Sequence, residues 1–197
     1  MGGVCDPAVY LKAAESGDLD AVTAELAAGV PIDSVTRQGR TAVLLAAMNG
    51  HLDVVRHLAE AGADLDLQDE TSLNPFLHGC LTGDLSLVRL MVESGADLTR
   101  LTRFGGNGLT PAAEKGFADV VEYLLTATDI NVNHTNAVGW TALIEAIILG
   151  DGGPVRQRVV RLLLEHGADP GMTDKWGTKP LDLALEKGFH EIAELLR

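Results

Sequence analysis

Along residues 52–69, LDVVRHLAEAGADLDLQD, apolar and polar positions follow a helical period. Val54, Val55, Leu58 and Ala59 fall at i, i+1, i+4 and i+5, one stripe of a 3.6-residue repeat, while Asp53, Arg56 and Glu60 face away. A second apolar segment, TAVLLAAMNGH, leads into it across Gly50. A pair of helices this short cannot cover its own apolar faces, so the pattern predicts neighbours of the same kind stacked on it and sharing a continuous core.

Those neighbours are present in the chain. Gly17, Gly50, Gly83 and Gly116 are each thirty-three residues apart, Gly150 follows after thirty-four, and Gly188 marks the last copy. Around them the chain reads AVYLKAAESGD, TAVLLAAMNGH, NPFLHGCLTGD, NGLTPAAEKGF, TALIEAIILGD and KPLDLALEKGF. The reading is a single all-α domain over residues 1–197, a solenoid of six helix-turn-helix units at about 4–36, 37–69, 70–102, 103–136, 137–174 and 175–197. The first unit opens at Ala8 without a Thr-Pro start, and the last stops at Arg197 within its second helix, as units with solvent on one side do.

The period of thirty-three, the T-A-L or N-P-F-L openings and the G-A-D tails of Gly62–Asp64, Gly95–Asp97 and Gly167–Asp169 resemble the ankyrin repeat over essentially the whole chain. RFGGNGLTPAAEKG and EAIILGDGG further resemble small free-standing bacterial proteins of that family. The resemblance implies antiparallel helix pairs joined by hairpin-like finger loops that project to one side. It also implies a concave face, formed by the fingers and the exposed side of each first helix, on which a protein partner is held.

Local chemistry agrees with the periodicity. Thr41, Asn74 and Thr141 stand just before a first helix, where a side-chain oxygen can accept from an orphan backbone N–H. Pro75 and Pro180 fall in the first helical turn, where a missing N–H costs little. Gly62, Gly95 and Gly167 stand just past second helices, and Thr128 takes that place in the fourth unit, which must end its helix differently.

Two places depart from the frame. Five residues are inserted after Gly150, in DGGPVRQR, and read as a longer loop with Pro154 starting an extended second helix, or else as a separate contact site. In TRFGGNGLTPAAEKGF, Thr110-Pro111 sits three residues later than Thr41-Ala42 predicts, although the glycine spacing is intact. The favoured reading starts that helix at Thr110, one turn shorter, and turns Gly105–Gly108 into extra loop; in the alternative, Asn107 caps a full-length helix and Pro111 costs one backbone bond in its first turns.

Composition narrows the function. A formal charge of −13 disfavours nucleic acid. No apolar run approaches the ~20 residues that span a bilayer, and the N-terminus lacks a basic segment followed by an apolar one, so the expected location is cytoplasmic. Gly2 opens an N-myristoylation pattern that fails at Asp6, where Ser or Thr is wanted. Cys5 and Cys80 read as reduced thiols, Cys80 as a small core side chain. G-x-S-x-G, H-E-x-x-H and G-x-x-x-x-G-K-[ST] are absent, the six histidines have no metal-ligand spacing, and no catalytic residue, metal or cofactor is expected.

Mapping the family's usual contact positions onto this chain, as the resemblance implies, gives a set whose charges sum to +3, leaving about −16 elsewhere: Arg37, Arg40, Arg103, Lys115, Lys175 and Lys187 stand against Glu70, Glu114 and Glu186. Phe104, Trp140 and Trp176 lie on it, and exposed Trp and Arg are frequent binding hot spots. The expected surface is therefore Arg37, Arg40, Arg103, Phe104, Glu114, Lys115, Trp140, Lys175 and Trp176, for a monomer binding another protein with apolar and acidic features. Packing of the tryptophans on adjacent fingers, and pairing of Arg37, Arg40 or Arg103 with nearby carboxylates, are the structural alternatives. A second functional reading places a small ligand in the Gly105–Gly108 loop, flanked by Arg103, Asn107, Glu145 and Trp140.

Overall fold

The computed structural model describes residues 6–197. Among these residues there are twelve helices and no strand, only an isolated antiparallel bridge between Val35 and Thr41. Cys5 and the Gly2 pattern lie outside the described residues. The helices form six pairs: α1 (Pro7–Ser16) with α2 (Leu19–Ala27), α3 (Ala42–Met48) with α4 (Leu52–Glu60), α5 (Pro75–Thr82) with α6 (Leu85–Glu93), α7 (Leu109–Lys115) with α8 (Ala118–Ala127), α9 (Ala142–Ile148) with α10 (Pro154–Glu165), and α11 (Pro180–Glu186) with α12 (His190–Leu195).

The described residues pack as two compact units, one of residues 6–79 and 86–97, the other of residues 80–85 and 98–197. In the first, α1 packs on α3 and α2, and α3 on α4. Val54, Val55 and Leu58 are fully buried, as their stripe requires, with Ala59 half-buried at its edge. Each such aliphatic side chain contributes roughly 1.5–3 kcal/mol. In the second unit α7 packs on α9, α9 on α11, and α8 on α10, around Leu109, Leu124, Leu143, Ile144 and Ile147. Cys80 is fully buried, and burial raises its thiol pKa far above the ordinary range, which leaves it an inert core group.

The helix starts follow the predicted chemistry. Thr41 Oγ1 accepts from Leu44 N–H at 3.2 Å, Asn74 Oδ1 from Leu77 N–H at 2.8 Å and Thr141 Oγ1 from Ile144 N–H at 3.3 Å. Such caps are worth about 1 kcal/mol each. α1 begins earlier than Ala8 because Asp6 caps it, accepting from Ala8 N–H at 2.9 Å, and Pro7 opens its first turn. At the end of α8, Thr128 is extended, and its hydroxyl closes the helix by donating to the Leu124 carbonyl at 2.5 Å.

The fourth repeat corrects the expectation of a shortened helix. α7 has seven residues, as α3 and α9 do, and its first turn forms at Gly108, already in the right-handed helical region. Gly108 is the cap residue and no side chain caps the helix; Asn107 stands one residue before it, so neither Thr110 nor Asn107 is the cap. Pro111 cannot donate to the Asn107 carbonyl, and Thr110 N–H donates to it instead at 3.2 Å, a tightened i+3 bond. Gly106, Asn107 and Gly108 are buried, so the extra loop expected at Gly105–Gly108 does not form.

The inserted residues lengthen the helix, as one reading of the sequence held. α10 has twelve residues against nine in α4, with Gly153 at its cap and Pro154 in its first turn. Its early residues take over a packing role filled differently elsewhere. In the first unit the His51 ring covers Gly17, and its Nε2 donates to the Glu15 carbonyl at 3.1 Å. In the second unit Arg156 covers Gly116, and its Nη1 donates to the Ala113 carbonyl at the end of α7, at 2.9 Å. Arg158 binds Asp119 and Glu122 of α8 at 2.9 and 2.6 Å.

Candidate functional site

Five finger loops carry the candidate side chains, and one hydrogen-bond scheme builds each of them. A residue at the base donates its own finger's closing bond: Thr36 N–H to Arg40 O, Asp69 to Leu73, Thr102 to Gly106, Asn136 to Trp140 and Asp174 to Thr178, at 2.8–3.1 Å. The same residue's side-chain oxygen then accepts from the tip. Asp69 Oδ1 takes Thr71 and Leu73 N–H at 2.8 and 3.0 Å, Asn136 Oδ1 takes Val138 and Trp140 at 3.0 Å, and Asp174 Oδ1 takes Trp176 and Thr178 at 2.9 Å. These are Asx-type turns, in which a short polar side chain imitates a backbone acceptor. Sequence reasoning missed these base residues. The available signal was a Thr, Asp or Asn at 36, 69, 102, 136 and 174, one per repeat.

Each finger then turns through a positive φ, +76° at Gly39, +78° at Gly105, +79° at Gly139 and +83° at Gly177, with Ser72 at +61° as the non-glycine case. Gly105 is thus a regular finger glycine and no sign of a widened loop.

In the first unit, Arg37 and Arg40 differ. Arg37 is exposed. Arg40 is tied down, its Nε donating to Asp69 Oδ2 at 3.2 Å with the Asp69 side chain 1% exposed. Burial alone would raise the Asp69 pKa, but the hydrogen bonds from Thr71, Leu73 and Arg40 outweigh it and hold the carboxyl below its ordinary range. Arg40 therefore serves the next finger, as the structural alternative had it.

In the second unit the aromatic residues divide. Phe104 is 64% exposed with the Arg103 guanidinium 4.6 Å from its ring centroid, and Trp176 is 67% exposed with Lys175 Nζ at 4.5 Å. Both are finger-tip cation–π pairs, which hold the ring and the charge in fixed relation. Trp140 is half-buried and its Nε1 is enclosed without an acceptor among the described residues. It packs as part of the fold and does not stand free beside Trp176. Backbone links join these fingers: Ala137 N–H donates to the Phe104 carbonyl at 2.9 Å, and a Cβ on Gly139 would lie 3.4 Å from Lys175 N.

Glu114 and Lys115, at the end of α7, bind each other at 3.2 Å. Beside Glu114 lies a residue the sequence reading had placed only at the margin. Glu145 of α9 is 7% exposed, and its Oε1 accepts from Asn136 Nδ2 at 2.6 Å. Burial first, then the Glu114 charge, raise its pKa to about 7 against the opposing Asn136 bond.

Among the described residues no cluster of His, Cys, Asp or Glu is arranged to hold a metal, and no helix is long and apolar enough to cross a membrane. The family model for ankyrin repeats matches in three copies, over residues 10–102, 80–174 and 109–197. The chain belongs to the ankyrin repeat family. It is 55% identical to the ankyrin repeat protein YahD of Escherichia coli K12 over 190 residues, covering 96% of this chain and 94% of that one. The ankyrin repeat domain ABAYE2397 of Acinetobacter baumannii superimposes with a TM-score of 0.92 at 39% identity, over 97% of both chains. The ankyrin repeat protein EF0377 superimposes with a TM-score of 0.93 at 34% identity, over 98% of both. The all-helical fold is therefore that of an ankyrin solenoid. Proteins of this family are typically non-enzymatic and generally mediate protein–protein interaction.

Proposed function

We propose that this ankyrin repeat protein is a monomeric, cytoplasmic, non-enzymatic scaffold that binds a protein partner through its finger tips and the adjoining ends of its first helices. The observation that supports this reading is the pair of exposed cation–aromatic tips in the second unit, Arg103 over Phe104 and Lys175 over Trp176. Rings two-thirds exposed, each beside a cation, in a chain of net charge −13 suit a partner that presents apolar side chains next to carboxylates. Arg37 extends the contact set in the first unit, while Glu114, Lys115 and Trp140 frame it in the second.

Affinity capture from native cell extract tests the proposal. Arg103→Ala with Trp176→Ala removes one cation and one ring from exposed positions, so thermal stability stays within about 0.5 kcal/mol of the parent. The expected outcome is loss of the captured partner. Undiminished capture by the double variant would remove these tips from the binding surface.

A further inference from the structure

One finger of the second unit is tied to its helix through an ionisable side chain. Asn136 closes the 136–140 finger, its Oδ1 accepting from Val138 and Trp140 backbone N–H at 3.0 Å. Its Nδ2 reaches Glu145 of α9 and donates to Oε1 at 2.6 Å. The other base residues, Thr36, Asp69, Thr102 and Asp174, have no side-chain amide to donate. The helix position of Glu145, four residues past the cap, holds Leu45 in α3 and Leu183 in α11. Amide and carboxyl thus occur together in this repeat. The next backbone N–H, that of Ala137, donates to the Phe104 carbonyl at 2.9 Å, so the same finger braces its neighbour.

Glu145 is 7% exposed, and the charges around it do not compensate an ionised carboxylate. The helices packed on α9 are α7, α10 and α11. α7 brings Glu114, whose like charge opposes ionisation and whose counterion, Lys115, already binds it at 3.2 Å. On α10, Arg156 is turned to the Ala113 carbonyl and Arg158 to Asp119 and Glu122. The acids of α11, Asp182 and Glu186, do not shift its titration, and among the described residues Asn136 is its one side-chain donor. Burial and Glu114 therefore keep the carboxyl neutral up to about pH 7. Once ionised, it lowers its free energy by reaching water, and water is close, because the adjacent Glu114 side chain is 30% exposed. Turning out to that water separates Oε1 from Asn136.

We propose that Glu145 is a proton-controlled latch on the 136–140 finger: neutral, it holds Asn136 against α9 and keeps the finger closed; ionised, it turns to solvent, releases Asn136 and loosens the finger with its link to Phe104. The surface that carries Phe104 and Trp140 is then firm below neutral pH and looser above it. This consequence for partner binding rests on the scaffold reading above; the latch itself does not.

Amide hydrogen exchange of the full chain, followed by NMR from about pH 5 to about pH 8 and normalised to the unstructured rate, tests the latch without a partner. Protection of the Val138 and Trp140 backbone N–H should fall at least about tenfold over this range, because the carboxyl ionises more readily in the open finger than in the closed one. The Trp176 and Thr178 N–H, held by Asp174 in the same manner but without an amide link to a helix, should keep theirs. Glu145→Gln should hold the Val138 and Trp140 protection level across the range. Glu145→Leu, the residue of α3 and α11, should also make it level, at a lower value because Asn136 loses its acceptor. Constant protection of Val138 and Trp140 in the parent, an equal fall at Trp176 and Thr178, or an unchanged fall in either variant would each overturn the proposal. Extract capture by the Arg103 and Trp176 variants bears on the finger tips alone, so failure of the latch and failure of the scaffold reading are distinguished.

Discussion

Glu145 offers the most direct quantitative test of the packing. It sits in ALIEAII on α9, 7% exposed, with Asn136 Nδ2 at 2.6 Å from its Oε1 and Glu114 adding a like charge. Its pKa of about 7 against an ordinary 4.5 means that the fold disfavours the ionised carboxyl by about 3 kcal/mol. Below the ordinary value the group is neutral in both states and costs nothing. Between the two values the unfolded chain gives up its proton while the folded chain keeps it, so stability falls as pH rises. Above about 7 both states are ionised and the penalty is complete.

Glu145→Gln keeps an oxygen to accept from Asn136 and cannot ionise. Urea unfolding followed by circular dichroism, from about pH 4 to about pH 8, compares the two proteins, and subtracting their curves cancels every other titrating group. The difference should grow by about 3 kcal/mol in favour of the variant across this range, equivalent to roughly 6–12 °C in Tm for a chain of this size. Glu114→Gln should give part of the same gain, since it removes the like charge but leaves the burial. Parallel pH curves for parent and Glu145→Gln would refute the reasoning, because they would mean that the carboxyl is hydrated in the folded state.

Two further predictions concern glycines. Gly50 and Gly83 share a positive φ, +77° and +76°, but a Cβ at Gly50 meets nothing within 4 Å, while at Gly83 it would lie 2.6 Å from the Phe117 ring. Gly50→Ala should therefore cost about 1–2 kcal/mol for the left-handed backbone alone, and Gly83→Ala distinctly more, as measured by thermal unfolding. A Cβ at Gly106 would lie 2.9 Å from Thr110 Cβ, so Gly106→Ala should cost roughly 1–3 kcal/mol by the same measurement, although the equivalent finger position holds Arg40 or Trp140 elsewhere.

Much of the fold was legible because its causes are local and recur. Helical stripes, the caps at Thr41, Asn74 and Thr141, and the Pro75 and Pro180 starts all depend on residues within one turn of each other. Finger construction was less legible, since the base residue changes from Thr to Asp to Asn while only its oxygen acceptor persists. The candidate surface was read least completely. Trp140 and Trp176 look alike as letters, yet one precedes a capping Thr and turns inward while the other rides on a finger tip beside Lys175. Arg40 stayed open between a tip cation and a carboxylate partner because that partner, Asp69, lies twenty-nine residues away in the next finger. Glu145 did leave a signal, a lone carboxylate inside an apolar run of α9, where a solvated face is not available.

The displaced Thr-Pro of the fourth repeat shows why a motif's position alone does not move a helix. Thr-Pro at a helix start works because the threonine oxygen accepts an orphan N–H and the proline has none to lose. Three residues later, the same proline leaves the Asn107 carbonyl without its i+4 donor, and Thr110 N–H supplies an i+3 bond in its place at 3.2 Å. Asn107 is at the same time fixed from both ends of its amide, donating to the Asn131 carbonyl at 2.9 Å and accepting from the Thr110 hydroxyl at 3.2 Å. The displaced threonine needs the space a side chain at Gly106 would fill, which is why that finger position is glycine here. The departures in GGNGLTP are thus one compensated substitution, in which Gly106, Asn107, Thr110 and Pro111 change together and the repeat keeps both its length and its stacking face.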